Sequence, residues 1–296
     1  MNDNMNRKKS LILALILGMV IALGGCGKKE EEHNSIVEYV SQQTVTDATA
    51  MDADEASLSD ASATNASESD ASATDASSTD ADVPAGNGKV IVLDPGHSSK
   101  VSGEMEPVGP GSSEMKAKDV TGTSGRTSGL MEYELALQTS FKMKEELERR
   151  GYTVYLTRYD NEVMLSCSER AEIANNYNAD AFIRVHADGV DDSSASGAMT
   201  ICITPSNPYV PEMYQDSRRL SEDIISEYCK ETGLGQRSIW ETDTMTGNNW
   251  SKVPTTLLEM GFMTNPNEDA LMADPAFQDK IAFGVANGLD KFFGFE

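Results

Sequence analysis

Three histidines occur in the chain, and only two of them, His97 and His186, lie beyond residue 88. Each closes a short apolar run, Val-Ile-Val-Leu-Asp-Pro-Gly-His97 and Phe-Ile-Arg-Val-His186, as a residue at the end of a buried strand does. Open α/β sheets bind ligands outside the carboxyl ends of their strands, so two histidines placed there point to a site and not to packing. Histidine with carboxylate is the donor set of a catalytic zinc, in which three protein ligands leave a fourth position for water and bring its pKa towards ~7. The candidate carboxylates are Glu132 and Glu134, which open a helical stretch, and Glu259, which closes Pro-Thr-Thr-Leu-Leu-Glu. A charge that ends an apolar strand must be paired, bound to metal or catalytic. Asp94, in the turn before His97, either orients that histidine or shapes the turn.

Such residues need a scaffold, and the pattern around them supplies one. Strands are predicted from Lys89 onward, at 153–156, at 181–185, at 198–203 and at 254–259. Helices are predicted at 132–150, 169–177 and 213–232, with a last one opened by Asp274-Pro275 as N-cap and first-turn proline. In the first helix Tyr133, Ala136, Leu137, Phe141, Met143 and Leu147 are expected to share the inward face. In the last helix Phe277, Ile281, Ala282, Val285 and Leu289 take that role. Strands alternating with helices predict a single α/β domain, residues 89–296, with a mostly parallel central sheet flanked by helices. The Gly/Ser/Pro-rich stretch from Ser98 to about Leu130 reads as a long functional loop.

The residues before 89 are of a different kind. Residues 1–26 carry a net charge of +2, an apolar run from Leu11 to Leu23 and the ending Leu-Gly-Gly-Cys26. This is the form of an export signal, and its last four residues resemble a lipoprotein cleavage box that would leave Cys26 lipidated. Residues 27–88 carry a net charge of −12 and, after Val40, almost no large apolar residue, so they are predicted to be a disordered Ala/Ser/Asp/Thr-rich linker. A flexible chain of that length reaches roughly 45 Å, which makes it a tether between a membrane anchor and the domain. The total charge of −24 leaves no Lys/Arg footprint for a phosphate backbone and argues against a nucleic-acid partner. Cys167, Cys202 and Cys229 have no paired spacing and read as small buried hydrophobes.

Six segments in order, from about residue 89 to the C-terminus, resemble the zinc-dependent N-acetylmuramoyl-L-alanine amidases of family 3. They are Val-Leu-Asp-Pro-Gly-His97, Glu132-Tyr-Glu-Leu-Ala-Leu, Leu156-Thr-Arg158, Glu169-Arg-Ala171 with Ala174-Asn175, Phe182 to Ala187, and Leu258-Glu-Met-Gly-Phe-Met-Thr-Asn265. The resemblance implies zinc ligands at His97, Glu132 and His186 and a catalytic glutamate at Glu259. It favours Glu132 over Glu134 because the family's ligand precedes leucines three and five positions later, here Leu135 and Leu137. Arg237 falls on an arginine common upstream of the catalytic strand and is assigned to substrate binding. Two departures stand out: Asp188 where the family usually has asparagine, and Arg184 where it has a small residue.

The reaction implied is hydrolysis of the amide between the lactyl group of N-acetylmuramic acid and L-alanine of the peptidoglycan stem peptide, with Glu259 as proton carrier. It would take place outside the cell, on an exported protein held at the membrane through Cys26. A zinc-dependent deacetylase or carboxypeptidase of the wall, and a non-catalytic lipoprotein that binds wall glycan, are the competing readings.

Overall fold

The computed structural model describes residues 86–295, so the export signal, Cys26 and the linker up to residue 85 lie outside the described residues. In chain order the elements are β1 (Val90–Pro95), β2 (Met105–Pro107), β3 (Met115–Ala117), α1 (Glu132–Arg149), β4 (Thr153–Leu156), α2 (Cys167–Asn176), β5 (Ala181–Asp188) and β6 (Met199–Cys202). They continue with α3 (Tyr214–Thr232), β7 (Trp240–Glu241), α4 (Thr246–Trp250), β8 (Thr255–Phe262), α5 (Pro266–Met272) and α6 (Pro275–Phe293). The main sheet runs β4-β1-β5-β8-β6-β7. Its first four strands are parallel, β6 runs antiparallel to β8, and β7 follows β6. This is the expected α/β domain with a mostly parallel sheet.

Side chains alternate across a strand, and here the alternation separates two kinds of chemistry. Ile91, Leu93, Ile183, Val185, Leu258 and Met260 face α1, α3 and α6 and form the apolar core with Leu147, Leu220, Ile224, Ile281, Val285 and Leu289. The intervening residues Asp94, Arg184, His186, Leu257 and Glu259 face the other way. That second face is covered by the short helices α2 and α4 and by the β2–β3 hairpin.

Several local features differ from the sequence expectation. Phe141 is 38 % exposed and touches Tyr159 at the edge; the buried stripe of α1 instead centres on Leu135, Ala136, Met143 and Leu147. Helix α2 starts at Cys167, two residues early, because Ser166 caps the Glu169 amide and the Glu169 carboxylate accepts from the Ser166 amide. The long loop contains the hairpin β2–β3, which is fastened to the domain by Glu106 accepting from the Cys167 and Ser168 amides and by Trp250 Nε1 donating to the Pro107 carbonyl. Among the described cysteines, Cys202 is fully buried, whereas Cys167 and Cys229 are half-buried.

Candidate metal centre

Strand β1 ends at Pro95, and the chain turns through Gly96 into His97, whose φ of 60° is left-handed and costly for a residue with a Cβ. Two buried arginines hold this turn. Arg158 donates to the Pro95 and Gly96 carbonyls at 3.0 and 2.9 Å, and Arg170 donates to those of Pro95 and His97 at 2.7 and 2.9 Å. A side chain at Gly96 would place its Cβ 2.3 Å from the His186 ring, so the glycine is what lets the two histidines meet. His97 Nδ1 lies 2.7 Å from the Val120 carbonyl; donation there leaves Nε2 with a free lone pair.

Glu132 is the first residue of α1. Its Oε2 accepts from the Thr123 amide at 2.9 Å, and Gly122, at φ 77°, leaves room for that carboxylate where a Cβ would stand 2.4 Å away. Glu134 is spent on the helix itself, accepting from the Met131 amide at 2.9 Å. That capping bond separates the two candidate glutamates by position. His186 lies near the end of β5, beside a register shift that re-aims the strand between His186 and Asp188.

The three groups converge. His97 Nε2 is 3.0 Å from Glu132 Oε1, His186 Nδ1 is 2.9 Å from the same oxygen, and the two ring nitrogens are 3.1 Å apart. Bonds of 2.0–2.2 Å to a tetrahedral metal put ligand atoms about 3.3 Å apart, so these donors already stand near the edge lengths of one face of such a site. The chemistry of the set also fits, with imidazole and carboxylate donors on a buried triad that could hold a metal ion. Burial raises the Glu132 pKa, but the close contacts with His186 and His97 outweigh it and hold the carboxyl below the usual range. Burial pushes His186 down to about 4, so it is neutral and able to donate a lone pair at neutral pH.

Glu259 is the register partner of His186 on β8. Its Oε2 is buried with no hydrogen-bond partner. Burial, and then the charges of Glu132 and Asp188, raise its pKa well above the ordinary carboxylate value against the opposing pull of Arg237 and Arg184. Both glutamates and both histidines line one cavity of about 400 Å³, which Cys167, Arg184 and Lys116 also reach. Arg237 stands at its edge, ion-paired to Asp188 at 2.9 Å and stacked 4.6 Å above Phe262; it lines a second open hollow with Trp240.

Asp94 does not touch His97. It is fully buried and shared by Thr157, Arg170 and Arg184, and it reaches the histidine only through Arg170. Burial raises its pKa, yet the charges of Arg170 and Arg184 prevail and hold it well below the usual range. Sequence reasoning did not foresee this arginine cluster or the place of Cys167 in the cavity wall. The available signal was a charged residue inside an apolar run, Arg184 in Phe-Ile-Arg-Val-His, and the arginines of Leu-Thr-Arg158 and Glu-Arg170.

An α/β sheet whose strand ends bring two histidines beside a glutamate that opens a helix, with a second glutamate alongside, gathers donors that could hold a metal ion. Residues 91–291 match the model of the N-acetylmuramoyl-L-alanine amidase family Amidase_3, and the chain belongs to that family. It is similar to the N-acetylmuramoyl-L-alanine amidase LytC of Bacillus subtilis, at 26 % identity over 208 residues, covering 70 % of this chain and 36 % of that one. It is also similar to the N-acetylmuramoyl-L-alanine amidase Rv3717 of Mycobacterium tuberculosis, at 28 % identity over 211 residues, covering 69 % of this chain and 86 % of that one. The chain thus spans about a third of the length of the first relative and most of the second. The crystal structure of the amidase Ami1 from Mycobacterium smegmatis superposes with a TM-score of 0.64 at 25 % identity, covering 71 % of this chain and 98 % of that one.

Proposed function

We propose that this chain is a zinc-dependent N-acetylmuramoyl-L-alanine amidase that hydrolyses the amide between N-acetylmuramic acid and L-alanine of the peptidoglycan stem peptide. The observation that carries the reading is the meeting of His97, Glu132 and His186 within about 3 Å of one another, with the unpartnered Glu259 oxygen in the same cavity. His97, Glu132 and His186 would hold a zinc ion, which would supply Lewis-acid polarisation of a carbonyl and a water acidic enough to react at neutral pH. Glu259 would accept a proton from the attacking water and deliver it to the departing amine. A carboxyl whose pKa is raised by burial holds a proton readily enough for the second half of that task. Arg237, ion-paired to Asp188 beside the cavity, is assigned to substrate binding.

The same reading assigns residues 89–296 to catalysis, 27–88 to a tether and Cys26 to a lipid anchor on an exported protein. It is supported by the apolar run ending in Leu-Gly-Gly-Cys26. Among the described residues no helix is long and apolar enough to cross a membrane. Cys26→Ala is expected to abolish lipidation of the protein; continued covalent lipidation would refute the anchor.

Mass spectrometry of purified peptidoglycan digested by the protein tests the reaction. Stem peptides with a free L-alanine amino terminus are expected, and Glu259→Gln should release them at least ~10²-fold more slowly while keeping its metal. Release of acetate or of D-alanine in their place would assign the site to the deacetylase or carboxypeptidase reading.

A further inference from the structure

Arg184 is 4 % exposed and lies one register step below the metal centre: it faces Leu257 across the β5–β8 pair, as His186 faces Glu259. Only its Nε has a close partner, Asp94 Oδ2 at 3.1 Å. Nη1 is 3.4 Å from Asn248 Oδ1, and Nη2 is 3.8 Å from the Cys167 sulfur, a weak acceptor. Asp94 is shared with Arg170, which uses its other donors on carbonyls, so the buried trio carries a surplus positive charge. A buried guanidinium with weak acceptors is expensive to maintain by packing alone. Gly247 of α4 lies directly against it, where a Cβ would come within 2.7 Å of Cζ, and the group lines the cavity that holds His97, Glu132, His186 and Glu259. Lys116 of β3 borders the same cavity from the hairpin, where its Nζ donates to the Thr244 carbonyl. The carboxylates Glu132, Glu259 and Asp188 gather around the His186 end of β5 and Arg184 lies two residues further back on the same strand, so the cavity is negative at its metal level and positive where Arg184 lines it.

We propose that Arg184, aided by Lys116, forms an anion subsite in the cavity floor that receives the stem-peptide carboxylate nearest the scissile amide. This inference rests on the amidase reading. Arg184 and His186 are two residues apart on an extended strand, about 6.6 Å. A carboxylate one or two residues beyond the scissile bond lies within ~3.5–7 Å of it, a reach comparable to that spacing, and the guanidinium and the triad line one cavity. The guanidinium then exchanges a thiol and a long amide contact for a charge-assisted pair.

The test uses the full chain and two synthetic muramoyl peptides that differ only in whether that group is a free carboxylate or a carboxamide. The parent is expected to favour the carboxylate by ~10-fold or more in kcat/KM, the scale of a charged hydrogen bond. Arg184→Met should bring the ratio near one, Arg184→Lys should keep part of it, and Lys116→Met, on a half-buried hairpin position, should lower it by a few fold. Equal rates on both compounds in the parent, an unchanged ratio in Arg184→Met, or equal losses on both compounds would overturn the subsite. Binding of the same two compounds to Glu259→Gln, measured by calorimetry, keeps the two readings separable. A tenfold preference in binding without turnover by the parent would refute the amidase reading and leave the subsite standing; no preference in binding would refute the subsite whatever the turnover.

Discussion

On one side of the central strands Ile91, Leu93, Ile183 and Val185 meet the long helices α1, α3 and α6. On the other side of the same strands Asp94, Arg184 and His186 meet short helices, a hairpin and one another. The first face is held by area removed from water, a sum in which each contact is small and replaceable. The second is held by a few bonds among buried ions, where a fully satisfied network is rigid and a missing partner is costly. Stability and chemistry are thereby assigned to opposite sides of one sheet, and substitutions should sort accordingly.

The largest effect is expected from His186→Ala on the charged face. Metal content measured by plasma mass spectrometry should fall from about one per chain to near zero, with turnover lost alongside it. Stoichiometric zinc in this variant would break the assignment of that face to metal binding. Next comes Asp94→Asn, which changes almost no volume but leaves Arg170 and Arg184 without their shared anion. Urea unfolding should show a loss of about 3–5 kcal/mol. On the apolar face, Ile281→Val deletes a methylene at a fully buried site and should cost only about 0.5–1.5 kcal/mol with kcat/KM unchanged. Should the isosteric Asp94→Asn cost less than Ile281→Val, the contrast between the faces is false.

The smallest effect concerns Glu259 and runs in the opposite direction. Its pKa in the folded, metal-free chain lies well above the ordinary 4.5, so the unfolded chain ionises first and stability declines as pH rises through that range. Glu259→Gln cannot ionise and avoids the decline. At pH 7 and without metal, this variant should melt a few degrees higher than the parent, at about 2–4 °C per kcal/mol for a domain of this size. The gain should vanish below about pH 4, where the parent is protonated in both states. A pH-independent difference in calorimetric Tm would show that the charge of Glu259 is not the cause.

The apolar face was the more legible in the sequence. Periodicity located β1, β4 and the long helices within a residue or two and found β5 and β8, each of which runs three residues further than expected, and all five residues expected to face inward on α6 are buried. Phe141 failed because helical period alone does not tell a core-facing position from one at the rim of the sheet. The four residues expected at the site also come together, since they end strands or open a helix and topology delivers such positions to one edge. The arginine cluster escaped because its logic is three-dimensional. Arg158, Arg170 and Arg184 come from a turn, a helix and a strand, and nothing in their local sequence says that they converge on the Pro95–His97 turn and on Asp94. The β2–β3 hairpin escaped because its strands are three residues each and carry no alternation long enough to read.

The chain has two tryptophans, and they stand in different surroundings. Trp250 is half-buried and tied through its indole nitrogen to Pro107 of the hairpin, whereas Trp240 is 46 % exposed on the edge strand next to Arg237. The protein therefore carries its own pair of optical reporters. Lifting of the hairpin would free the Trp250 indole and redden its emission, while a molecule settling in the hollow beside Arg237 would shield Trp240 from a dissolved quencher. Single Trp→Phe replacements would assign each signal, and the two events could then be timed separately in one stopped-flow trace without any added label.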